Sequence, residues 1–315
     1  AIFDTVDAHF SEEWLANIKN VLGDPKPDYL IIQHMEPDHS SSIGIFMENY
    51  PDTTIVASAK AFTIMKQFFG CDYAEHQLVV KEKDTLELGK HTLTFVAAPM
   101  VHWPEVIMTY DSYAKVFFSA DAFGKFGALD VEEDWACEAR RYYFGIVGKY
   151  GDIRIICPLH GPVLNENLDF YLNLYQTWSA YEPEDKGVLI AYTSVYGNTK
   201  KAAELLAQML VDKGCEKVAI TDLARDDIAE AVEDAFRYDR LVLATTTYNG
   251  DVFPFMREFI ESLTERNYQK RTIGLIENGS WAATAAKAMR QLFEKSKEIT
   301  FTETTVKIMS ALNEE

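Results

Sequence analysis

Apolar and polar positions follow two different rhythms along this chain, and the change comes a little past its middle. In the first part, short apolar runs rich in β-branched and aromatic residues are separated by long irregular stretches. Residues 28–33, 54–57, 92–98, 114–119 and 153–157 read as buried strands, with 78–80 and 85–88 in a further strand-rich stretch. Helical periodicity appears at 11–22, where Ser11 is placed as the cap, Glu12 and Glu13 favour the positive end, and Gly23 stops the helix. Further helices are predicted at 59–69 (ended by Gly70), 138–150 (ended by Gly151) and 165–180. Residues 181–187, Tyr-Glu-Pro-Glu-Asp-Lys-Gly, are polar and without periodicity, so the boundary between a domain 1–182 and a domain 187–315 is placed there.

Beyond it, strand and helix alternate. Strands are predicted at 188–192, 217–221, 241–244, 272–276 and 304–309, and helices at 200–213, 228–236, 255–264 and 282–296. That order predicts a doubly wound parallel sheet, an α/β fold in which ligands bind at the carboxyl ends of the strands.

The first part carries a different kind of chemistry. Directly after the strand 28–33 comes His34-Met35-Glu36-Pro37-Asp38-His39, with four potential metal ligands in six positions. One His or Asp in such a loop is ordinarily a turn residue. Here His102 follows the strand 92–98, Asp121 follows 114–119, and His160 follows 153–157. Strand ends on one side of a sheet lie close together, so these side chains are expected to converge on a cation. Trp103, Phe123 and Tyr142 are placed either at the wall of that pocket or, as plain packing, in the core.

Bulk properties narrow the classes. A length of 315 residues suits two domains, and a net charge of −19 argues against binding a nucleic-acid backbone. No stretch approaches the ~18 apolar residues of a membrane span, and no signal-peptide pattern is read at the start. The chain opens abruptly in a strand, so residues preceding it are expected. Cys71, Cys137, Cys157 and Cys215 are scattered and form no Cys-x-x-Cys pair, which removes a zinc ribbon, a rubredoxin-type iron site and a thioredoxin motif. A reducing, cytoplasmic setting is expected.

In the second part three loops qualify as ligand loops. Thr193, Ser194, Val195, Tyr196, Gly197, Asn198 and Thr199 combine hydroxyls with backbone amides at a helix start, which suits a phosphate. The loop lacks the Gly-Lys-Ser/Thr ending of a nucleotide triphosphatase and the Gly-x-Gly-x-x-Gly of a dinucleotide fold. The loops 245–251 (Thr246, Thr247, Tyr248, Asn249, Gly250) and 277–281 (Asn278, Gly279, Ser280, Trp281) supply Tyr248 and Trp281, flat enough to lie against an isoalloxazine ring.

Together these loops resemble flavodoxin, in which one loop holds the FMN phosphate and two flank the ring. The first part resembles the metallo-β-lactamase fold, an αββα sandwich with a His-x-His-x-Asp-His motif followed by distant His, Asp and His; here Glu36 stands in place of the second His. A carboxylate in place of an imidazole hardens the site and tilts it from zinc towards iron. The combination is similar to the flavodiiron protein family. That resemblance implies one iron held by His34, Glu36 and His102, a second by Asp38, His39 and His160, and Asp121 bridging them. It implies an oxidoreductase reducing O2 to water, NO to N2O, or both, with FMN passing electrons to the irons. It also implies a head-to-tail homodimer, or a dimer of dimers, in which the flavin of one subunit serves the iron pair of the other. Without a Cys-x-x-Cys segment the electron donor is expected to be a separate protein such as rubredoxin. The segment between Asp121 and His160 is shorter than the family pattern. Two other readings stand beside this one: a zinc hydrolase with a flavodoxin-like appendage, and a non-catalytic electron carrier whose first domain is only a scaffold.

Overall fold

A computed structural model of the chain describes residues 1–125, Ala136, Ala139 and 154–312. It divides into two compact units, Ala1–Tyr171 and Leu172–Glu315.

The first unit is built on two sheets. Strands β1 (Ile2–Phe3), β2 (Tyr29–Ile31), β3 (Thr54–Ala57) and β4 (Gln77–Val79) lie side by side in that order, all parallel. The second sheet runs β5 (Thr85–Leu88), β6 (His91–Ala97), β7 (Ile107–Asp111), β8 (Val116–Phe118) and β9 (Ile155–Cys157). Its strands are antiparallel except for the parallel pair β8–β9. Because side chains alternate across a strand, Ile31 and Val56 face the second sheet and pack on Leu93, Phe95 and Ile107. Leu30, Ile32, Ile55 and Ala57 face the other way, onto helices Ser11–Leu22, Ile43–Asn49 and Ala59–Phe69, through Trp14, Ile18, Phe46, Phe62 and Met65. The Phe3 and Phe118 rings stack at 3.8 Å between the two sheets.

Two readings of the sequence change here. Strand β7 was not among the expected strands, although it is paired on both sides in the second sheet. Ser11 does not cap its helix. It is the first helical residue, with Phe10 before it, and its hydroxyl bonds to Ala8 O and to Ser42 Oγ while Asp7 caps the short 3-10 turn Ala8–Phe10. The helix expected at 138–150, together with Cys137, Tyr142 and Gly151, lies outside the described residues.

The second unit holds five parallel strands in the order β11 (Val218–Asp222), β10 (Asp185–Tyr192), β12 (Tyr238–Tyr248), β14 (Arg271–Asn278) and β15 (Ile299–Ile308), and the short β13 (Asp251–Val252) pairs antiparallel with β12. In chain order that is 2-1-3-4-5, the flavodoxin-type arrangement, whose switch point falls between the first and third strands. Here those are β10 and β12, which carry Thr193–Thr199 and Thr245–Gly250 at their carboxyl ends. Helices Asn198–Asp212, Ile228–Arg237, Pro254–Glu265 and Ala285–Leu292 connect the strands. The strand begins at Asp185, inside the stretch expected to be linker: Asp185 is held by Lys217 at 2.6 Å and Arg237 at 2.8 Å. Among the described residues no helix is long and apolar enough to cross a membrane.

Candidate functional site

In the first unit, β2 ends at Ile31 and the chain turns into His34–Met35–Glu36, followed by the one-turn helix Pro37–Ser40 with Pro37 at its first position. The loop is fixed from below by the segment after β1. Asp4 Oδ1 accepts the N–H groups of Gln33 at 2.7 Å and His34 at 3.2 Å. Burial pushes the Asp4 carboxyl up to about 6, against the attraction of His39 and those N–H bonds. Thr5 donates both its N–H and its hydroxyl to His39 O, at 2.8 and 2.9 Å. The loops after β6, β8 and β9 then deliver His102, Asp121 and His160. His102 follows a cis peptide bond. Gly124 lets two of these loops touch: a Cβ there would lie 2.9 Å from Asp121 O and 3.1 Å from His160 Cβ.

All seven expected donors come together in two groups, His34, Glu36, His102 and Asp121 in one and Asp38, His39 and His160 in the other. In the first, His34 Nε2 lies 3.2 Å from Glu36 Oε2, 3.2 Å from His102 Nε2 and 3.4 Å from Asp121 Oδ2. His102 Nε2 is 2.9 Å from Glu36 Oε2 and 3.1 Å from Asp121 Oδ2. In the second, His39 Nε2 is 3.1 Å from His160 Nε2 and 3.3 Å from Asp38 Oδ2. The two oxygens of Asp121 divide between the groups: Oδ1 lies 3.2 Å from His39 Nε2 and 3.6 Å from His160 Nε2, while Oδ2 faces His34 and His102.

This donor set fits cations better than it fits itself. A neutral imidazole nitrogen carries either one proton or one lone pair, so three close partners around His34 Nε2 exceed what it can bond. Donors at about 2.0–2.2 Å from a metal fall roughly 3–3.5 Å from one another, the spacing observed. Asp38 Oδ1 and Asp121 Oδ1 are buried with no well-aligned hydrogen bond. The field is strongly negative. Hydrogen bonding to Asp121 raises the His102 pKa above its ordinary value. For His39 burial pulls the pKa down, but Asp121, Asp4 and Asp38 outweigh it and raise it. Burial pushes the Asp121 carboxyl up, yet the neighbouring imidazoles of His102 and His39 hold it well below the ordinary range. His160 is lowered, chiefly by burial.

Around the groups, Trp103 packs edge-on to His34 with ring centres 5.3 Å apart and joins the core behind it, while Phe123 is buried. Glu105, not singled out in the sequence, is 2 % exposed and bonded to His34 Nδ1 at 2.8 Å. Its only sequence signal is an acid opening the apolar run Val106-Ile107-Met108.

In the second unit the three loops line one cavity of 690 Å³, within the range of about 300–1,000 Å³ common to small-molecule sites. Of the expected residues, Ser194, Val195, Tyr196, Asn198, Thr199, Thr246 to Gly250 and Asn278 to Trp281 line it. Thr193 and Gly197 do not. Thr193 is fully buried behind the wall, its hydroxyl 2.6 Å from that of Thr245. Gly197 sits before the helix Asn198–Asp212 at φ 86°, a left-handed turn that glycine tolerates and that sets the helix start. Phe253, Ala282, Thr284 and Ser310 were missed. Ser310 lies over the loop after β14, accepting on its carbonyl from Asn278 Nδ2 at 3.2 Å and donating its N–H to Asn278 Oδ1 at 3.1 Å.

Among the described residues no charged side chain lines the cavity. A phosphate there would be held by the amides at the helix start and by hydroxyls, including that of Ser194, buried without a partner. Tyr196, Tyr248 and Trp281 stand exposed at the rim, free to meet a flat ring. Phosphate end, neutral donors and aromatic rim fit FMN.

These two sites on these two folds define a class: a metallo-β-lactamase-like unit with a two-metal donor set, joined to a flavodoxin-like unit. Residues 1–146 match the family described as ODP family beta lactamase, and residues 189–307 match the flavodoxin domain family. A nitric oxide reductase of Moorella thermoacetica is 28 % identical over 325 residues, spanning 94 % of this chain and 79 % of that protein. An anaerobic nitric oxide reductase flavorubredoxin of Escherichia coli is 28 % identical over 309 residues, 90 % of this chain and 64 % of the relative. The chain thus spans less than two thirds of the flavorubredoxins' length. Among solved structures, the rubredoxin oxygen:oxidoreductase of Desulfovibrio gigas superposes with a TM-score of 0.87 at 25 % identity, covering 99 % of this chain and 83 % of that one. The flavodiiron protein of Giardia intestinalis shares the fold, with a TM-score of 0.80 at 23 % identity over 96 % of this chain and 81 % of that one. The chain thus carries an ODP-family beta-lactamase domain followed by a flavodoxin domain, and it is similar to flavodiiron proteins over nearly its whole length.

Proposed function

We propose that this protein is a flavodiiron oxidoreductase that reduces O2 to water, NO to N2O, or both, at a non-haem diiron site supplied with electrons by FMN. The observation that carries the reading is Asp121, whose two carboxylate oxygens each face a different donor group. When bound, the iron pair supplies two adjacent redox-active Lewis acids able to hold both ends of a diatomic molecule, and FMN supplies the electrons. The protein's part is position. His34, Glu36 and His102 would hold one iron and Asp38, His39 and His160 the other, with Asp121 facing both groups. The loops 193–199, 245–251 and 277–281 hold the flavin, with the phosphate at the helix start. The domains are 1–182 and 187–315.

The electron donor follows the relatives, and the assembly and setting follow the sequence reading. One relative is a nitric oxide reductase and another a rubredoxin oxygen:oxidoreductase, which supports rubredoxin as the electron donor. A head-to-tail homodimer, alone or paired into a tetramer, brings flavin and iron of different subunits together, and the setting is cytoplasmic. Glu36 among the donors, and oxidoreductases among the relatives, speak against the zinc hydrolase. The complete donor set speaks against a mere scaffold, which has no use for seven converging polar side chains. The test is anaerobic NO consumption beside O2 consumption, with reduced rubredoxin as donor. Turnover of either gas is expected. Hydrolase activity with no gas consumption would overturn the reading.

A further inference from the structure

Among the described residues, the Glu105 carboxylate bonds to the metal loop, at His34 and Met35. It lies in the connection between β6 and β7, its side chain and that of His34 are both 0 % exposed, and its Oε1 accepts from His34 Nδ1 at 2.8 Å and from the Met35 N–H at 3.0 Å. Ser58 holds it from behind, donating to Glu105 O at 2.8 Å. A carboxylate accepts and does not donate, so in this bond the His34 Nδ1 carries a proton, and in the neutral ring the lone pair then lies on Nε2, the nitrogen that faces Glu36, His102 and Asp121. Neither His39 nor His102 has a carboxylate on Nδ1 among the described residues. Of the seven donors Glu105 bonds to His34, so its bond acts on the group of His34, Glu36, His102 and Asp121.

We propose that Glu105 is a positioning residue for the His34 iron: it fixes the tautomer and ring orientation of His34 and strengthens that metal site alone. The proposal rests on the diiron reading above. An outer carboxylate behind a metal-bound histidine typically changes metal affinity by about 10–100-fold, so the effect here is a split between two irons that are otherwise held by similar ligands. Any general loosening of the loop would act on both groups, because Asp38 and His39 stand on the same short segment as His34 and Glu36.

The test is an anaerobic Fe(II) titration against a competing chelator, on the full chain with its FMN, comparing wild type with Glu105→Gln and Glu105→Asp. Melting temperature and FMN content are read in parallel. The glutamine keeps the shape without the charge; the aspartate keeps the charge but is too short to reach. Two irons per chain are expected in the wild type. In both variants one iron should weaken by about 10–100-fold and the other stay at its wild-type affinity, with FMN retained. The solvent-exchangeable, paramagnetically shifted proton resonance of the His34 Nδ1–H should shift in Glu105→Gln. Unchanged affinity for both irons would overturn the proposal, as would equal weakening of both with a lowered melting temperature. A wild type that binds no iron would overturn the diiron reading instead.

Discussion

The hydroxyl of Thr247 joins two of the flavin loops, and its removal is the sharpest test of how the cavity is held. Oγ1 accepts the N–H groups of Thr284 at 3.0 Å and Ala285 at 3.2 Å. These donors stand at the start of helix Ala285–Leu292, where no preceding turn can satisfy them. Thr284 Oγ1 in turn donates to Gly250 O at 3.1 Å, so the loop after β12 and the loop before that helix hold each other. Thr247→Val keeps the shape and the β-branching and deletes only the acceptor. Losing such a capping oxygen costs about 0.5–2 kcal/mol. The cost falls on the arrangement that receives the flavin, so FMN affinity should drop by about 2- to 30-fold, near 5-fold for 1 kcal/mol. Thr247→Ser restores the oxygen and should restore affinity. Titration of flavin-free protein with FMN, followed by quenching of flavin fluorescence, measures all three. A valine variant that binds as tightly as wild type, or a serine variant no better than valine, would refute the reasoning.

Other outcomes follow from the same geometry. Asp121→Ala should remove the one side chain shared by both donor groups, so metal analysis should find the iron pair lost and FMN retained; loss of flavin instead would contradict two separate sites. Asp185 gives a pH dependence. Burial pushes its carboxyl up, but bonds from Lys217 and Arg237 outweigh this and hold it below the ordinary range. Its contribution is therefore complete above the unfolded value near pH ~4 and disappears as pH falls through the lower folded value. The difference in urea midpoint between wild type and Asp185→Asn should be steady at neutral pH and shrink below pH ~4; a difference that stays constant to pH ~2 contradicts the assignment.

The donors were legible because few residue types bind metals, and each follows an apolar run that a strand explains. His102, Asp121 and His160 needed no knowledge of the sheet order, only that strand ends gather. The flavodoxin-like sheet was legible for a similar reason: buried parallel strands are apolar throughout, and Val188–Tyr192 and Leu241–Ala244 stand out from the helices around them. Strand β7 escaped because its core, Ile107-Met108-Thr109, is short and sits in the shadow of the His102 loop. Glu105, Asp4 and Ser310 act through partners 29 to 71 positions away, and no local pattern marks such a contact. Ser11 failed as a cap because the turn Ala8–Phe10 in front of it lets the helix begin one residue early.

The central claim is tested most directly by metal and flavin analysis of one purified sample, with a visible spectrum. Two irons and one FMN per chain are expected, the flavin bands accompanied by iron absorption. A single zinc per chain, or iron with no flavin, would contradict the account.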